Sequence, residues 1–274
     1  MTQDITISIL CEDQAKMGFL DKKFLGQHGF SVFIEAEKRI LFDTGASDVF
    51  MHNAALLDID PDTADWIVLS HGHWDHTDGL RALPTREKKN LLAHPGVFVD
   101  RRKANGMYNG MACTRQELDR RFNLILSKEP YRICETIYFL GEVPRLNDFE
   151  ARQTPFFHME GEQRHEDFLM DDSALAIETG KGLVIVTGCS HAGICNIVEH
   201  ARCVTGQRHV HAVIGGFHLM GDSTQLRKTI DYFKENTVEH LYPMHCTTLP
   251  AMAEFHNAFG IEKLCAGDTL SLAQ

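Results

Sequence analysis

No run in this 274-residue chain approaches about 18 consecutive apolar side chains, so a membrane-spanning helix is not expected. The eight cysteines include no Cys-x-x-Cys pair, and their scatter offers no disulfide framework. They are expected as thiols, most of them small core residues, with only Cys189 and Cys246 beside candidate ligands. Positive charge is also short. The 27 Lys and Arg against 38 Asp and Glu leave a net charge of −11, which argues against nucleic acid as a general partner. The segment Met1–Leu10 lacks a basic n-region and a long apolar h-region. It reads as a first strand, and the expected compartment is the cytoplasm.

What is present suffices for a folded core, because 43% of the residues are hydrophobic. The charge is uneven. Residues 81–152 carry 14 Lys and Arg against 9 Asp and Glu, while the rest carry 13 against 29. Two readings of that basic stretch stand: a solvated helical face, or a positive cover over a site that receives an anion.

Histidine is abundant, at sixteen residues. His71-Gly-His73-Trp-Asp75-His76 follows an apolar run, Trp66–Ser70, that reads as a strand. Imidazole and carboxylate are ligands for zinc, iron or manganese. In an extended loop His71 and His73 point the same way and serve one ion, and Asp75 and His76 serve a second. Two adjacent ions activate water and clamp an oxyanion. His94, His191, His218 and His245 also end strand-like runs. His52, His158, His200, His209, His240 and His256 read as ordinary surface or helix residues.

Along the chain, Thr6–Leu10 alternates as a strand, and Phe30–Glu35 with Arg39–Asp43 forms a hairpin. A short helix at 47–57 and strands at Trp66–Ser70 and Asn90–His94 follow, and a helix is expected to start within Thr77–Leu83. Residues 97–165 read as an irregular insertion or basic lid, with a helix at Thr114–Leu126 and short strands near Ile133–Phe139 and Arg145. The second half repeats the grammar of the first. A hairpin, Ala174–Glu178 and Leu183–Thr187, leads into Gly188–Gly193; then a helix stops at Gly206. His211–Gly215 leads to His218, a helix capped by Ser223 follows, and His240–Met244 leads to His245. A helix from Pro250 and a closing strand ending near Ala266 complete the chain. Two such halves suggest two packed sheets with helices outside, their strand ends meeting on one edge.

On Asp43-Thr44-Gly45, His71-x-His73-x-Asp75-His76 and the late strand-end histidines, the chain resembles the metallo-β-lactamase superfamily. Thr187–Gly193, Ile214–Leu219 and Met244–Thr247 narrow the resemblance. They look like the branch of metal-dependent hydrolases related to the archaeal 7,8-dihydropterin-6-methyl-4-(β-D-ribofuranosyl)aminobenzene 5′-phosphate synthase. The resemblance implies an α+β fold, an αββα sandwich, formed by a single domain over 1–274. It implies one or two divalent ions, zinc first among them. His71, His73 and His191 would hold the first ion; Asp75, His76 and His245 the second. Asp43 would stand behind the loop and accept hydrogen bonds. The superfamily's histidine before the second hairpin and its bridging Gly-Asp are replaced here by Asp171-Asp172-Ser173 and Gly188-Cys189-Ser190-His191. Cys189 and Asp172 are the candidates to stand in for that bridging carboxylate.

Asp75 and His218 are expected in the chemistry, and His94 and Arg145 as contacts for a substrate anion. The implied activity is metal-dependent hydrolysis of a phosphorylated or otherwise anionic small molecule. The alternative is a transferase that condenses a pterin pyrophosphate with an aryl amine.

Overall fold

Ile5, Ile7 and Ile9 alternate along the first strand and turn toward Ile137, Leu175, Val184 and Ile214, which belong to a different sheet. That shared seam is why two sheets pack face to face. Each fully buried side chain of this kind contributes about 1.5–3 kcal/mol. A computed structural model describes residues 5–18, 22–221 and 223–272.

The first sheet has seven strands, in the order Thr269–Leu272, Ile5–Cys11, Ser31–Glu35, Arg39–Phe42, Trp66–Val68, Asn90–Ala93 and Asn123–Leu126. The second has six, in the order Val238–Met244, Val210–Gly216, Gly182–Thr187, Ala174–Thr179, Ile137–Phe139 and Tyr131–Arg132. Outside the first sheet, Phe50 and Ala54 of the helix Val49–Leu56 and Leu118 of the helix Arg115–Arg121 cover Leu41, Ile67 and Leu91. Outside the second, the helices Ile194–Thr205, Thr224–Glu235 and Leu249–Phe259 cover Ala176, Ile185 and Val213. The layers are therefore helix, sheet, sheet, helix, the αββα sandwich.

The last helices begin and end as their residues dictate. Ser223 Oγ accepts from the Leu226 N–H at 3.0 Å, and Gly206 closes its helix in the left-handed conformation.

Three expectations are revised. The helix expected over Thr114–Leu126 stops at Arg121, and Asn123–Leu126 becomes a strand parallel to Asn90–Ala93. Pairing with a sheet edge there outweighs local helical preference. The closing strand is Thr269–Leu272, which pairs antiparallel with Ile5–Cys11. The stretch 97–165 is not one lid. Asn123–Leu126 joins the first sheet, Tyr131–Arg132 and Ile137–Phe139 join the second, and Arg145 lies in no strand. Arg101–Lys103, Phe156–Glu160 and Gln163–Glu166 form a small sheet of their own. Among the described residues no helix is long and apolar enough to cross a membrane.

Candidate metal centre

Parallel pairing places the site. Trp66–Val68 lies parallel to both its neighbours, and Gly182–Thr187, Val210–Gly216 and Val238–Met244 are parallel in series. Parallel neighbours bring their carboxyl ends to one edge, where the loops leave the sheet. Those loops hold His71–His76, Cys189–His191, His218 and His245–Cys246. At four of the turns a non-glycine residue takes a positive φ: Asp43 (55°), Ser190 (62°), His218 (47°) and His245 (46°). Each such residue costs on the order of 1–3 kcal/mol, which packing elsewhere offsets.

His71, His73 and His191 bring donor atoms within 4.8 Å of one another, and so do Asp75, His76 and His245. His71 Nε2 and His73 Nδ1 are 3.0 Å apart. The buried Asp43 carboxylate organises the loop. It accepts from Ser70 N at 2.7 Å, Ser70 Oγ at 2.6 Å and His76 Nδ1 at 2.8 Å. Ser70 Oγ in turn lies 2.9 Å from His71 Nδ1. A carboxylate only accepts, so His76 carries a proton on Nδ1 and turns Nε2 toward the site. Gly188 packs against this pair, and a Cβ there would strike Ser70 Oγ. On the other side, Asp171 Oδ2 accepts from Gly72 N at 2.8 Å while Arg101 grips both Asp171 oxygens at 2.7 and 2.9 Å.

Burial pushes His71, His73 and His191 well below the ordinary imidazole range, so their lone pairs are free for a cation. Burial pushes Asp75 up, but the charge of His76 and the hydrogen bond of His245 outweigh it and the carboxyl stays below its usual range. His73 Nε2 and His191 Nε2 are buried with no hydrogen-bond partner. An unmet buried polar atom costs about 1–3 kcal/mol, and a bound cation removes that cost. The donor set of imidazole, carboxylate and thiol therefore fits divalent metal.

Of the two stand-ins for a bridging carboxylate, Cys189 groups with His71 and His76, its Sγ 3.2 Å from His76 Nε2. Asp172 faces the other way and accepts from Ala192 N at 2.9 Å, holding the His191 loop. His218 is at the centre, its ring 4.2 Å from that of His191, and burial drives it down to about 4.

Two anticipated substrate contacts lie elsewhere. His94 Nδ1 accepts from Gly96 N and its Nε2 faces Glu142 at 3.4 Å, which closes a turn away from the cavity. Arg145 donates to the carbonyls of Val143, Phe168 and Leu169 and is a structural clamp. The positive cover is also revised. Arg101 pairs with Asp167 and Asp171, Arg86 with Asp60 and Asp62, Arg102 with Asp100, and Arg115 with Asp119. Of the basic residues in 81–152, Lys103 alone lines the main cavity.

That cavity, about 870 Å³, opens directly over the histidines. Its walls include Trp74, Phe156, Met220, Leu249, Met252 and Ile261. Asp13, His28 and Arg101 belong to the site or its support and are not among the residues expected from the sequence. Asp13 follows the end of the first strand, the same strand-end signal that marked the later histidines. His28 and Arg101 carried no such signal.

The family model for the metallo-beta-lactamase superfamily matches residues 26–109. Together with the near full-length relatives below, it establishes that the chain belongs to the metallo-beta-lactamase superfamily. A 7,8-dihydropterin-6-methyl-4-(beta-D-ribofuranosyl)-aminobenzene-5'-phosphate synthase of Methanocaldococcus jannaschii is 36% identical, over 96% of this chain and 95% of its own. An uncharacterized protein of the same organism, MJ0448, is 36% identical over 85% of this chain and 89% of its own. The crystal structure of Tm1679, a metal-dependent hydrolase of the beta-lactamase superfamily, matches with a TM-score of 0.86 and 31% identity. The match covers 98% of this chain and 100% of that one.

Proposed function

We propose that this protein is a metal-dependent hydrolase acting on a small molecule with an apolar body and an anionic or electrophilic end. The observation that carries this reading is the pair of adjacent ligand triads, His71/His73/His191 and Asp75/His76/His245, opening together into one cavity. Zinc and iron suit all the donors, and manganese suits all but the thiol. When bound, two such ions supply a water of lowered pKa and stabilise charge on a developing oxyanion. The chain's own residues do the rest. Asp43 fixes His76 and, through Ser70, His71. Asp75 stays ionised as a ligand. His218, held neutral by burial, positions the substrate by hydrogen bonding beside His191. The apolar walls take the substrate body, while positive charge comes from the ions, Lys103 and Lys263. A cytoplasmic location suits a site with two thiols, which an oxidising compartment would threaten.

The test is a panel of esters, lactones and phosphodiesters assayed with zinc- or manganese-loaded protein. Turnover lost on chelation and in His71→Ala supports the reading; a metal-loaded protein inert to the whole panel overturns it.

The second reading, a transferase that condenses a pterin pyrophosphate with an aryl amine, is favoured by the near full-length relative named as a synthase. The apolar walls of the cavity, Trp74 and Phe156 among them, suit an aromatic ring. Pyrophosphate release that requires the amine selects this reading; release without it selects hydrolysis.

A further inference from the structure

Three imidazoles, not two, converge on one oxygen of Asp75. Oδ2 of that carboxylate lies 3.3 Å from His28 Nε2, 3.4 Å from His245 Nε2 and 3.7 Å from His76 Nε2. Donors 2.0–2.2 Å from a tetrahedral zinc ion stand about 3.3–3.6 Å apart. The first two separations match that edge and the third exceeds it slightly. His28 meets the spacing as well as His245 does.

The far side of each ring carries a second sign. A histidine bound to metal through one nitrogen usually gives the other N–H to a carboxylate, which sets tautomer and orientation. His76 Nδ1 is 2.8 Å from Asp43 Oδ2. His245 Nδ1 is 2.8 Å from Asp13 Oδ1. His28 Nδ1 is 3.3 Å from Asp13 Oδ2. One carboxylate, Asp13, thus carries two rings on its two oxygens. Asp13, His28 and His245 also offer donor atoms within 4.8 Å of one another.

The backbone holds His28 in this place. Phe30 N donates to the Asp75 carbonyl at 3.2 Å, so the His28 loop is tied to the metal loop itself. Gly29, at φ 142°, lies so close that a Cβ would strike that same carbonyl. Against these ties, the His28 side chain is 58% exposed and lines the cavity.

We propose that His28 is a fourth protein ligand of the second metal ion, joining Asp75, His76 and His245 from the side open to the cavity. This rests on the two-ion reading of the site. It gives the second ion a donor reached from solvent, on the face that an incoming substrate meets first.

Zinc titration of the metal-free full chain against a chromophoric chelator reads the two affinities separately. The wild type is expected to take two ions. In His28→Ala the second affinity is expected to fall roughly tenfold or more, with the first unchanged. Because the side chain is half exposed, the metal-free variant should unfold thermally like the wild type, which separates ligand loss from misfolding. X-ray absorption of the two-zinc protein should also count one imidazole fewer in the variant. Two unchanged affinities, or an equal fall in both, overturn the assignment of His28 while leaving the dinuclear centre intact. A wild type that takes fewer than two ions overturns both.

Discussion

Cys189 Sγ stands 3.2 Å from His76 Nε2 and groups with one residue of each triad, His71 and His76. Burial holds the thiol's proton well above the ordinary range, and only a strong Lewis acid would displace it. Cobalt-loaded protein should therefore show a near-ultraviolet thiolate-to-cobalt band, absent in Cys189→Ser. A wild type without that band would mean the thiol stays protonated and outside the coordination shell.

Asp43 touches no cavity, yet it sets two ring orientations. Asp43→Asn keeps the volume but replaces an acceptor oxygen with an amide that donates toward Ser70 or His76. Metal affinity should fall by about 10–100-fold with the fold retained. Calorimetric titration checks this, and unchanged affinity would remove Asp43 from the support of the site.

Arg101 is 1% exposed and bonds to both oxygens of Asp171, which also holds Gly72. Removing one partner of a buried pair leaves the other charge unmet, at about 3–5 kcal/mol. Denaturant unfolding of Arg101→Ala should show that loss. A change under about 1 kcal/mol would show that solvent reaches the vacated space.

Asp172 gives the stability a pH dependence of definite sign. Burial raises its carboxyl from 3.8 to about 7, and Asp172 Oδ1 has no partner. Between those values the folded chain keeps a proton that the unfolded chain has lost. Its contribution is full below the unfolded value and declines as pH rises through about 7. The midpoint of thermal unfolding of metal-free wild type should fall, relative to Asp172→Asn, from about pH 5 to about pH 8. Parallel profiles would show that Asp172 is ionised in the folded chain.

Periodicity and turn residues made most elements legible. The hairpin at Ser31–Glu35 and Arg39–Phe42 and the helix Ile194–Thr205 follow from alternation, apolar spacing and glycine stops. The strand Asn123–Leu126 was not legible, because its state depends on a partner edge about thirty residues earlier. That His71, His73 and His191, and Asp75, His76 and His245, would gather at one edge was readable, because histidines recur at strand ends. His94 ends a strand in the same way but turns to Glu142. Side-chain direction at a loop is a tertiary property.

Sequence alone determined the sandwich class, the His71–His76 motif and the expectation of metal, because these rest on local spacing and residue chemistry. Tertiary structure decided where the charge goes. It paired most of the basic residues of 81–152 with carboxylates and carbonyls and set Cys189 against His76. It also carried His28 and Asp13 to a centre whose other residues lie as far on as His245. Partners so distant in sequence meet only when the sheets pack, and a buried charge takes whichever partner that packing supplies.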